Sequence, residues 1–238
     1  FRRVLFRSKI IRKQGAVFHA DWSDDPCYYK DPDTREIVAY DFFGGNIQGI
    51  IEKLGYLQEL GISVIYLNPI FESESNHHYD TGDYLKVDPI LGNEKDFQEL
   101  IKKAAAKGIR VILDGVFSHT GSNSRYFNRK GQYDSVGAFQ STKSPYYEWY
   151  SFRNFPHEYE SWWNFNTLPN VTETTPSYMD FIIRQPESVL HHWLRQGIAG
   201  WRLDVIDELP EPFSKGFYAE LKKTDPDAVM IGEVWEDA

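Results

Sequence analysis

Two acidic residues, Asp204 in GIAGWRLDVIDE and Glu233 in AVMIGEVWED, each stand where an apolar, strand-like run meets a polar turn. In a parallel α/β barrel a helix and two short loops separate neighbouring strands by roughly thirty residues, and the strands lie about 4.8 Å apart. The segment between the two acids supplies such a helix, because Phe213, Phe217 and Leu221 recur at helical spacing. We therefore predict that the two carboxylates are neighbours in one site.

Two carboxylates about 5 Å apart suit retaining glycoside hydrolysis, in which one attacks the anomeric carbon and the other protonates the leaving oxygen. The attacking group needs an ordinary or lowered pKa and the proton donor needs a raised one. Arg202 lies two residues before Asp204, so on a strand both point to the same side and the guanidinium favours the ionised carboxylate. Glu233 is followed by Val234 and Trp235 and has no cation near it in sequence. We expect a low pKa for Asp204 and a raised pKa for Glu233.

The elements that would position these acids alternate between helix and strand. The predicted order is helix NIQGIIEKLGYLQELG, strand ISVIYLNPI, helix EKDFQELIKKAAAKG, strand IRVILDGVF, helix PSYMDFIIRQPESVLHHWLRQG, strand IAGWRLD, helix FSKGFYAELKK and strand AVMIGE. The first strand is a nearly unbroken apolar run, which is typical of a parallel strand buried on both faces. Pro186 predicts an interruption or kink in the third helix. Four strands alternating with helices indicate an α/β fold and half of an eight-stranded barrel.

The chain divides into segments of different character. Residues 9–117 and 178–238 carry the alternating pattern and are predicted to form a partial TIM (β/α)8 barrel, with two open sheet edges. Residues 118–177 are rich in Ser, Asn, Gly, Tyr and Trp and are predicted to form a small inserted domain. Within residues 1–8, RRVLFRS resembles the translation of a sequencing-library adapter, so we interpret this segment as non-native and the natural N-terminus as missing. The alternative is an amphipathic edge strand.

Composition excludes several classes of partner. The formal charge of −9 and the absence of a basic patch argue against a nucleic-acid or anionic-membrane surface. No apolar run approaches the length of a membrane span, and no signal-peptide pattern is present. Cys27 is the only cysteine, so neither an intrachain disulfide nor a cysteine cluster for zinc is available. A cytoplasmic location is the expectation that these features favour.

Aromatic side chains near the predicted strand ends could bind a sugar, since the C–H faces of a pyranose stack on aromatic rings. Tyr79, Trp162, Trp163 and Trp201 are the candidates. For each of them alone, packing in the core or on the surface is the more frequent role. Their clustering after strand ends favours substrate binding.

Four stretches resemble conserved segments of the α-amylase family of retaining glycoside hydrolases, glycoside hydrolase family 13. They are SNHHYDTGDY, DGVFSHTG, GWRLDVIDE and GEVWED, in the family's order and spacing. The resemblance runs from about Ala16 to the end, and the irregular segment 118–177 stands where the family inserts a small domain after its third strand. It implies that the chain holds about the second to fifth barrel strands.

The resemblance implies roles for individual residues. Asp204 matches the nucleophile and Glu233 the general acid/base, while Arg202 matches the arginine that keeps the nucleophile ionised. Tyr79 matches the tyrosine that stacks under the sugar at the cleaved bond, and His119 matches a histidine that hydrogen-bonds the sugar hydroxyls.

Other matches leave alternatives open. Asp114 matches an aspartate that supports the same subsite, or it caps the turn after its strand. One of His77 and His78 aligns with a substrate-contacting or packing histidine, with solvated loop residues as the alternative. Glu208 would point toward the leaving-group side, although an exposed glutamate at a helix entry is the simpler interpretation.

The Trp-rich segment SWWNFNTLPN and the stretch SNHHYDTGDY look most like the neopullulanase, cyclomaltodextrinase and amylopullulanase groups. The resemblance therefore implies double-displacement cleavage of α-1,4 and also α-1,6 glucosidic bonds in starch, pullulan, cyclodextrin or maltooligosaccharides. No cofactor is required for this chemistry, and dimerisation of the parent enzyme stays open. The family's third catalytic aspartate would lie beyond Ala238 and its first strand before Lys9, so we expect an inactive fragment.

A structural calcium is a further expectation from the family. Many members have an asparagine just before the histidine that matches His119, and here the residue is Ser118, a poorer ligand for a hard cation. The calcium site is therefore unsupported at Ser118. An acidic run could offer another site, although such runs are usually solvated. Its members are Asp21, Asp24, Asp25, Asp31 and Asp33.

Three other interpretations were weighed. An amylase-fold protein without catalysis could bind glycans or another protein, but such relatives have lost the acids that this chain keeps. A barrel enzyme for phosphorylated substrates would need a Gly-rich phosphate loop or a cationic cleft. A metalloenzyme could use four of the histidines as ligands, but they lack the spacing from carboxylates that metal sites use. These histidines are His77, His78, His191 and His192.

Overall fold

The computed structural model describes residues 16–19, 21–27, 29–33 and 37–235, so the proposed adapter segment 1–8 lies outside the described residues. The strands are β1 (Ala16–Phe18), β2 (Tyr29–Lys30), β3 (Ile37–Phe42), β4 (Val64–Leu67), β5 (Phe71–Ser73), β6 (Thr81–Val87), β7 (Arg110–Gly115), β8 (Phe152–Asn154), β9 (Glu158–Tyr159), β10 (Gly200–Leu203) and β11 (Val229–Gly232). The α-helices are α1 (Ile47–Glu59), α2 (Glu94–Ala105), α3 (Pro176–Met179), α4 (Val189–Arg195) and α5 (Glu211–Thr224).

A four-stranded parallel sheet forms the centre of the fold, with strand order β11-β10-β7-β4. Within this sheet, strands that follow one another in the chain are also paired: β4 with β7, β7 with β10 and β10 with β11. Helices connect them, as in a (β/α)8 barrel. Leu113 pairs with both Leu67 and Trp201, and Leu203 pairs with Gly232. The predicted partial barrel is confirmed, and the carboxyl ends of its strands lie side by side.

The first strand of this sheet differs from its prediction. Val64 and Ile65 are only partly buried and Tyr66 is 40% exposed, so β4 is not covered on both faces. The reason is its place at the sheet edge, where only β7 pairs with it among the described strands. The double burial expected for β4 is found in the internal strand β7, which is buried from Val111 to Gly115.

The helices follow the predicted periods and cover the sheet. Asn46 caps α1 through its side chain, and Asn93 forms a reciprocal capping box with Asp96 at the start of α2. The helix predicted over 176–197 is interrupted as expected: a π-helical turn at 180–184 follows α3, and Ser188 caps a new helix, α4. No helix in the described part of the chain is long and apolar enough to cross a membrane.

The irregular region 118–177 begins and ends beside the same strand end. His119 forms an isolated β-bridge with Asn170, and Tyr150 forms one with Val171. The region contains the hairpin β8–β9 and two short 3-10 helices, Tyr147–Trp149 and Trp162–Asn164, and aromatic rings fill much of its interior, including Phe127 against Phe152 and Tyr159. These contacts hold the region over the carboxyl end of β7. Its boundaries as a separate domain stay a prediction.

Helix α5 packs onto β10 through one stripe, in which Phe213, Phe217 and Leu221 are fully buried. We expect Phe217→Ala to lower the free energy of unfolding by about 3–5 kcal/mol, because it removes a large apolar side chain and leaves a cavity. Urea unfolding of the purified chain measures this. The neighbouring Tyr218 is 49% exposed, and Tyr218→Ala should change stability by no more than about 0.5 kcal/mol. Equal losses would contradict the assignment of the buried face.

Candidate active site

One guanidinium joins three carboxylates at the carboxyl ends of three strands. Arg202 Nη1 lies 2.9 Å from Asp114 Oδ1 and 2.7 Å from Asp204 Oδ1, and Nη2 lies 2.6 Å from Glu233 Oε2. Asp114 is opposite Arg202 in the β7–β10 register, and the other two acids directly follow β10 and β11. The two acids singled out from the sequence are thus brought to the same cation.

The backbone fixes both acids in this arrangement. The N–H of Asp204 donates to the carbonyl of Gly115, and the N–H of Glu233 donates to the carbonyl of Leu203. Val205 then takes a left-handed conformation with φ 41°, which is unfavourable for a β-branched residue. Its N–H lies 3.2 Å from Glu233 Oε2 and donates to it. The tight turn after β10 therefore helps to hold the second acid.

The expected difference in pKa between the two acids is wrong. Burial raises the pKa of Asp204 to about 6, since the Arg202 guanidinium only partly offsets desolvation and the charge of Asp114 adds to it. For Glu233, burial acts to raise the pKa, but hydrogen bonds from Trp235 and Val205 together with Arg202 outweigh it and bring the pKa below its ordinary value. The side chain of Glu233 is 32% exposed, against 8% for Asp204. Arg202 contacts both acids, so it does not make the pKa of Asp204 lower than that of Glu233.

Asp114 is held by two tyrosines as well as by Arg202. Its Oδ2 accepts hydrogen bonds from the hydroxyls of Tyr66 and Tyr79, the latter at 3.1 Å. Burial raises the pKa of Asp114 although these three partners favour its charge. Side chains from separate parts of the chain converge on this carboxylate, which favours the supporting role over a turn cap. Tyr66 escaped notice in the sequence because it lies inside an apolar strand.

The histidine predicted to bind sugar hydroxyls, His119, is 1% exposed and borders the cavity into which Asp204 and Glu233 open. Its Nε2 lies 3.2 Å from the carbonyl oxygen of Tyr79, and its Nδ1 lies 3.0 Å from Ser118 Oγ. Burial lowers the pKa of His119 to about 4, so the ring is neutral near pH 7. The calcium site that the family resemblance implies at this position stays a prediction, and the Ser118 hydroxyl lies within hydrogen-bond distance of the imidazole.

The two histidines of the SNHHYDTGDY stretch have different environments. His77 borders the cavity and its ring lies 6.1 Å from that of Tyr79, and burial lowers its pKa. His78 is buried, with Nε2 3.2 Å from a carboxylate oxygen of Asp88. His77 is therefore placed where a substrate could reach it, whereas His78 is a packing residue.

The prediction of Trp201 as a sugar platform is wrong. Its side chain is fully buried and packs against Phe71, Phe117 and Phe217. Successive residues of a strand point to opposite faces, so Trp201 points away from the face that carries Arg202.

A cluster of tryptophans stands beside the acids. The rings of Trp162 and Trp163 lie 5.4 Å apart, and Trp163 lies 5.7 Å from Trp235 at a nearly perpendicular angle. Glu208 accepts hydrogen bonds from both indole N–H groups, at 2.8 Å from Trp162 and 3.2 Å from Trp163. Glu208 is therefore neither a free surface residue nor a simple helix-entry charge, because it orients two aromatic rings.

A nearby acid, Glu173, was not recognised in the sequence. Burial, reinforced by the charge of Glu208, raises the pKa of Glu173 to about 7. Its position in the polar stretch NVTETTP gave no signal that it would be partly buried.

The acids open into a cavity of about 610 Å³. Its wall joins the charged group to aromatic side chains from several loops, a combination suited to a ligand with apolar faces and many hydroxyls. The aromatic and catalytic candidates among its lining residues are Tyr40, His77, Tyr79, His119, Trp162, Phe165, Arg202, Asp204, Glu233 and Trp235.

Among the described residues, none of the four histidines proposed for a metalloenzyme belongs to a group of side chains spaced to hold a metal ion. His191 Nε2 lies near Thr224 and Glu220, and His192 pairs with Gln196, both away from the cavity lining. The acidic run is engaged locally: Asp21 accepts from Ser23.

Comparison with known proteins agrees with this arrangement of strands and acids. Residues 26–238 match the Alpha-amylase family, described as "Alpha amylase, catalytic domain". The chain belongs to the α-amylase family. The match includes all four strands of the central sheet and every residue that contacts Arg202.

Individual relatives are similar over most of the chain. An amylopullulanase from Thermoanaerobacterium saccharolyticum is 43% identical over 93% of the chain, and a cyclomaltodextrinase from Thermoanaerobacter pseudethanolicus is 37% identical over 92%. The ligand-free structure of a cyclic α-maltosyl-(1→6)-maltose hydrolase from Arthrobacter globiformis aligns over 94% of the chain with a TM-score of 0.76 and 30% identity. The chain spans 19%, 38% and 46% of the lengths of these three proteins, respectively.

The raised pKa of Asp204 has a consequence for stability. A carboxyl whose pKa rises from 3.8 to about 6 on folding binds protons more tightly when folded, so its contribution to stability grows as pH falls through 6 and levels off near 3.8. Relative to Asp204→Asn, the unaltered chain should gain about 1 kcal/mol between about pH 7 and pH 5. Urea unfolding of both proteins at the two pH values measures the difference, in which titrating groups that do not interact with Asp204 cancel. A constant difference would contradict the raised pKa.

Proposed function

We propose that this chain carries the nucleophile and the acid/base of a retaining glycoside hydrolase that acts on α-glucans. The observation that supports it most is the contact of Arg202 with both Asp204 and Glu233, on adjacent strand ends at an aromatic-lined cavity. Two acids that share one site can supply the nucleophile and the general acid/base that this reaction needs.

In the proposed reaction Asp204 attacks the anomeric carbon and forms a glycosyl ester while Glu233 gives its proton to the departing glycosidic oxygen. Glu233 then removes a proton from water, the water oxygen attacks the same carbon, and the Asp204 carboxylate leaves. Asp204 must be ionised to attack, so its pKa of about 6 implies that the first step slows as pH falls below 6.

Glu233 must be protonated for the first step, although its pKa in the free protein is below the ordinary value. A bound glucan would cover its exposed side chain and remove water from it. Both changes favour the neutral carboxylic acid. The substrate itself therefore prepares the proton donor in this proposal.

The proposed substrates are glucans with α-1,4 and α-1,6 bonds, such as pullulan, cyclodextrins and maltooligosaccharides. Support comes from the names of the amylopullulanase, cyclomaltodextrinase and cyclic α-maltosyl-(1→6)-maltose hydrolase to which the chain is similar. The aromatic rings of the cavity wall suit the apolar faces of glucose units. A non-catalytic glycan-binding protein remains the second candidate, and the intact set of Arg202, Asp204 and Glu233 favours the hydrolase.

Replacement of the proposed acid should affect substrates according to their leaving groups. In the longest polypeptide that carries this sequence, Glu233→Ala should lower kcat on maltooligosaccharides about 10²- to 10⁴-fold, and much less on aryl glycosides whose leaving group needs no proton. Steady-state kinetics on both substrates measure this. Glu211→Ala, at an exposed acid on α5, is the matched control and should leave both rates unchanged. Equal losses on both substrates would contradict the role of Glu233.

The exposed tryptophan cluster should contribute to binding without contributing to chemistry. Trp163→Ala should weaken maltooligosaccharide binding roughly two- to tenfold, because one stacking contact is worth about 0.5–1.5 kcal/mol. Isothermal titration calorimetry on the Asp204→Asn background avoids turnover. Trp22, which is 71% exposed and does not belong to the tryptophan cluster of Trp162, Trp163 and Trp235, provides the control variant Trp22→Ala. Unchanged affinity in Trp163→Ala would remove this residue from the binding surface.

A further inference from the structure

A second cluster of chemically reactive side chains lies in the N-terminal part of the fold. His19 follows β1, Cys27 ends the next loop, and Asp41 lies on β3. One imidazole nitrogen, the thiol sulfur and one carboxylate oxygen all lie within 4.8 Å of one another. No other group of this kind occurs in the part of the chain that the structure describes.

The spacing of these atoms fits a shared metal ion better than direct pairing. His19 Nε2 lies 3.3 Å from Asp41 Oδ2 and 3.8 Å from Cys27 Sγ. A charged N–H···O hydrogen bond is shorter, about 2.7–2.9 Å. A tetrahedral zinc ion with bonds of about 2.0–2.3 Å holds its ligand atoms roughly 3.3–3.8 Å apart. The two distances from His19 Nε2 match the separations that such an ion requires.

Groups around the cluster orient each ligand. His19 Nδ1 faces Asp24 Oδ2 at 3.4 Å, which is the carboxylate–histidine arrangement common behind zinc ligands. The ring of Phe43 stacks on the imidazole at 4.1 Å. Asp41 Oδ2 also accepts the backbone N–H of Cys27 at 2.7 Å. The side chains of His19 and Asp41 are only 9% and 10% exposed, so the site is largely screened from water.

We propose that His19, Cys27 and Asp41 bind one divalent zinc-class cation, with a water molecule as fourth ligand. Imidazole and thiolate ligands select zinc over calcium, so this site differs from the calcium expected from the acidic run. Binding converts the Cys27 thiol to a zinc-bound thiolate and releases one proton to solvent. Affinity therefore falls as pH is lowered.

The site is connected to the candidate active site through one asparagine. Asn76 Nδ2 donates to the backbone oxygen of Asp41 at 3.0 Å and to its Oδ1 at 3.3 Å. The following residue, His77, borders the cavity, and Tyr79 contacts Asp114. A bound cation would fix Asp41 and, through Asn76, the loop that presents these residues. The proposal concerns metal binding and does not depend on the proposed hydrolase activity.

Metal binding to the whole, tag-free chain tests the proposal. Zinc titrated into metal-free protein against a chromogenic chelator should bind with one ion per chain, and cobalt should give a thiolate-to-metal charge-transfer band in the near ultraviolet. Cys27→Ala and Cys27→Ser should abolish this band and weaken zinc binding at least tenfold. The control Asp25→Asn changes an exposed acid in the same loop, which is not part of the ligand set, and should bind like the unaltered chain.

Circular dichroism and urea unfolding without metal show whether the Cys27 variants are folded, so that lost binding can be assigned to the lost ligand. The proposal is overturned by absence of stoichiometric zinc binding in the unaltered chain. It is equally overturned if the Cys27 variants bind zinc with unchanged affinity or if cobalt gives no thiolate band. Calcium binding that survives both Cys27 substitutions, without zinc binding, would assign the region to a different cation.

Discussion

The shared guanidinium of Arg202 is the interaction on which the candidate site depends. One permanent positive charge faces three groups that can be negative, Asp114, Asp204 and Glu233, and an arginine does not give up its proton to relieve the imbalance. The excess negative charge and the burial act on the carboxylates instead. The pKa values of the two buried acids are raised, whereas that of the partly exposed Glu233 is lowered.

Strand register makes this sharing possible. Arg202 pairs with Asp114 across β7 and β10. Leu203 of β10 pairs with Gly232 of β11, so the acids that follow them, Asp204 and Glu233, lie level with each other. A shift of one residue would turn either acid to the opposite face. The left-handed turn at Val205 then directs its N–H at Glu233. The strain at this residue is thus located where it helps to position the second acid.

Helices and strands that show a periodic pattern of apolar residues could be predicted from the sequence. Contacts that depend on how far a long side chain extends could not. The alternation of helix and strand and the buried stripe of α5 follow from local patterns. The contact between Arg202 and Glu233 crosses from one strand to the next through a long flexible side chain, which no local pattern reports. The burial of Trp201 follows from a local rule, because adjacent strand residues point to opposite faces and its neighbour Arg202 lies on the site face. The contacts of His19 with Cys27 and Asp41 could not be predicted, because no local sequence pattern connects these three residues.

In the proposed reaction the charge on Asp204 affects the pKa of Glu233, because both carboxylates contact Arg202. While Asp204 is ionised, its negative charge beside Glu233 favours retention of the proton that the leaving oxygen needs. Once Asp204 has formed an ester with the sugar, that charge is gone and Arg202 faces one carboxylate fewer. The pKa of Glu233 must then fall, so the group stays ionised and is ready to accept a proton from water. In this proposal the loss of the Asp204 charge beside Arg202 allows Glu233 to act first as acid and then as base.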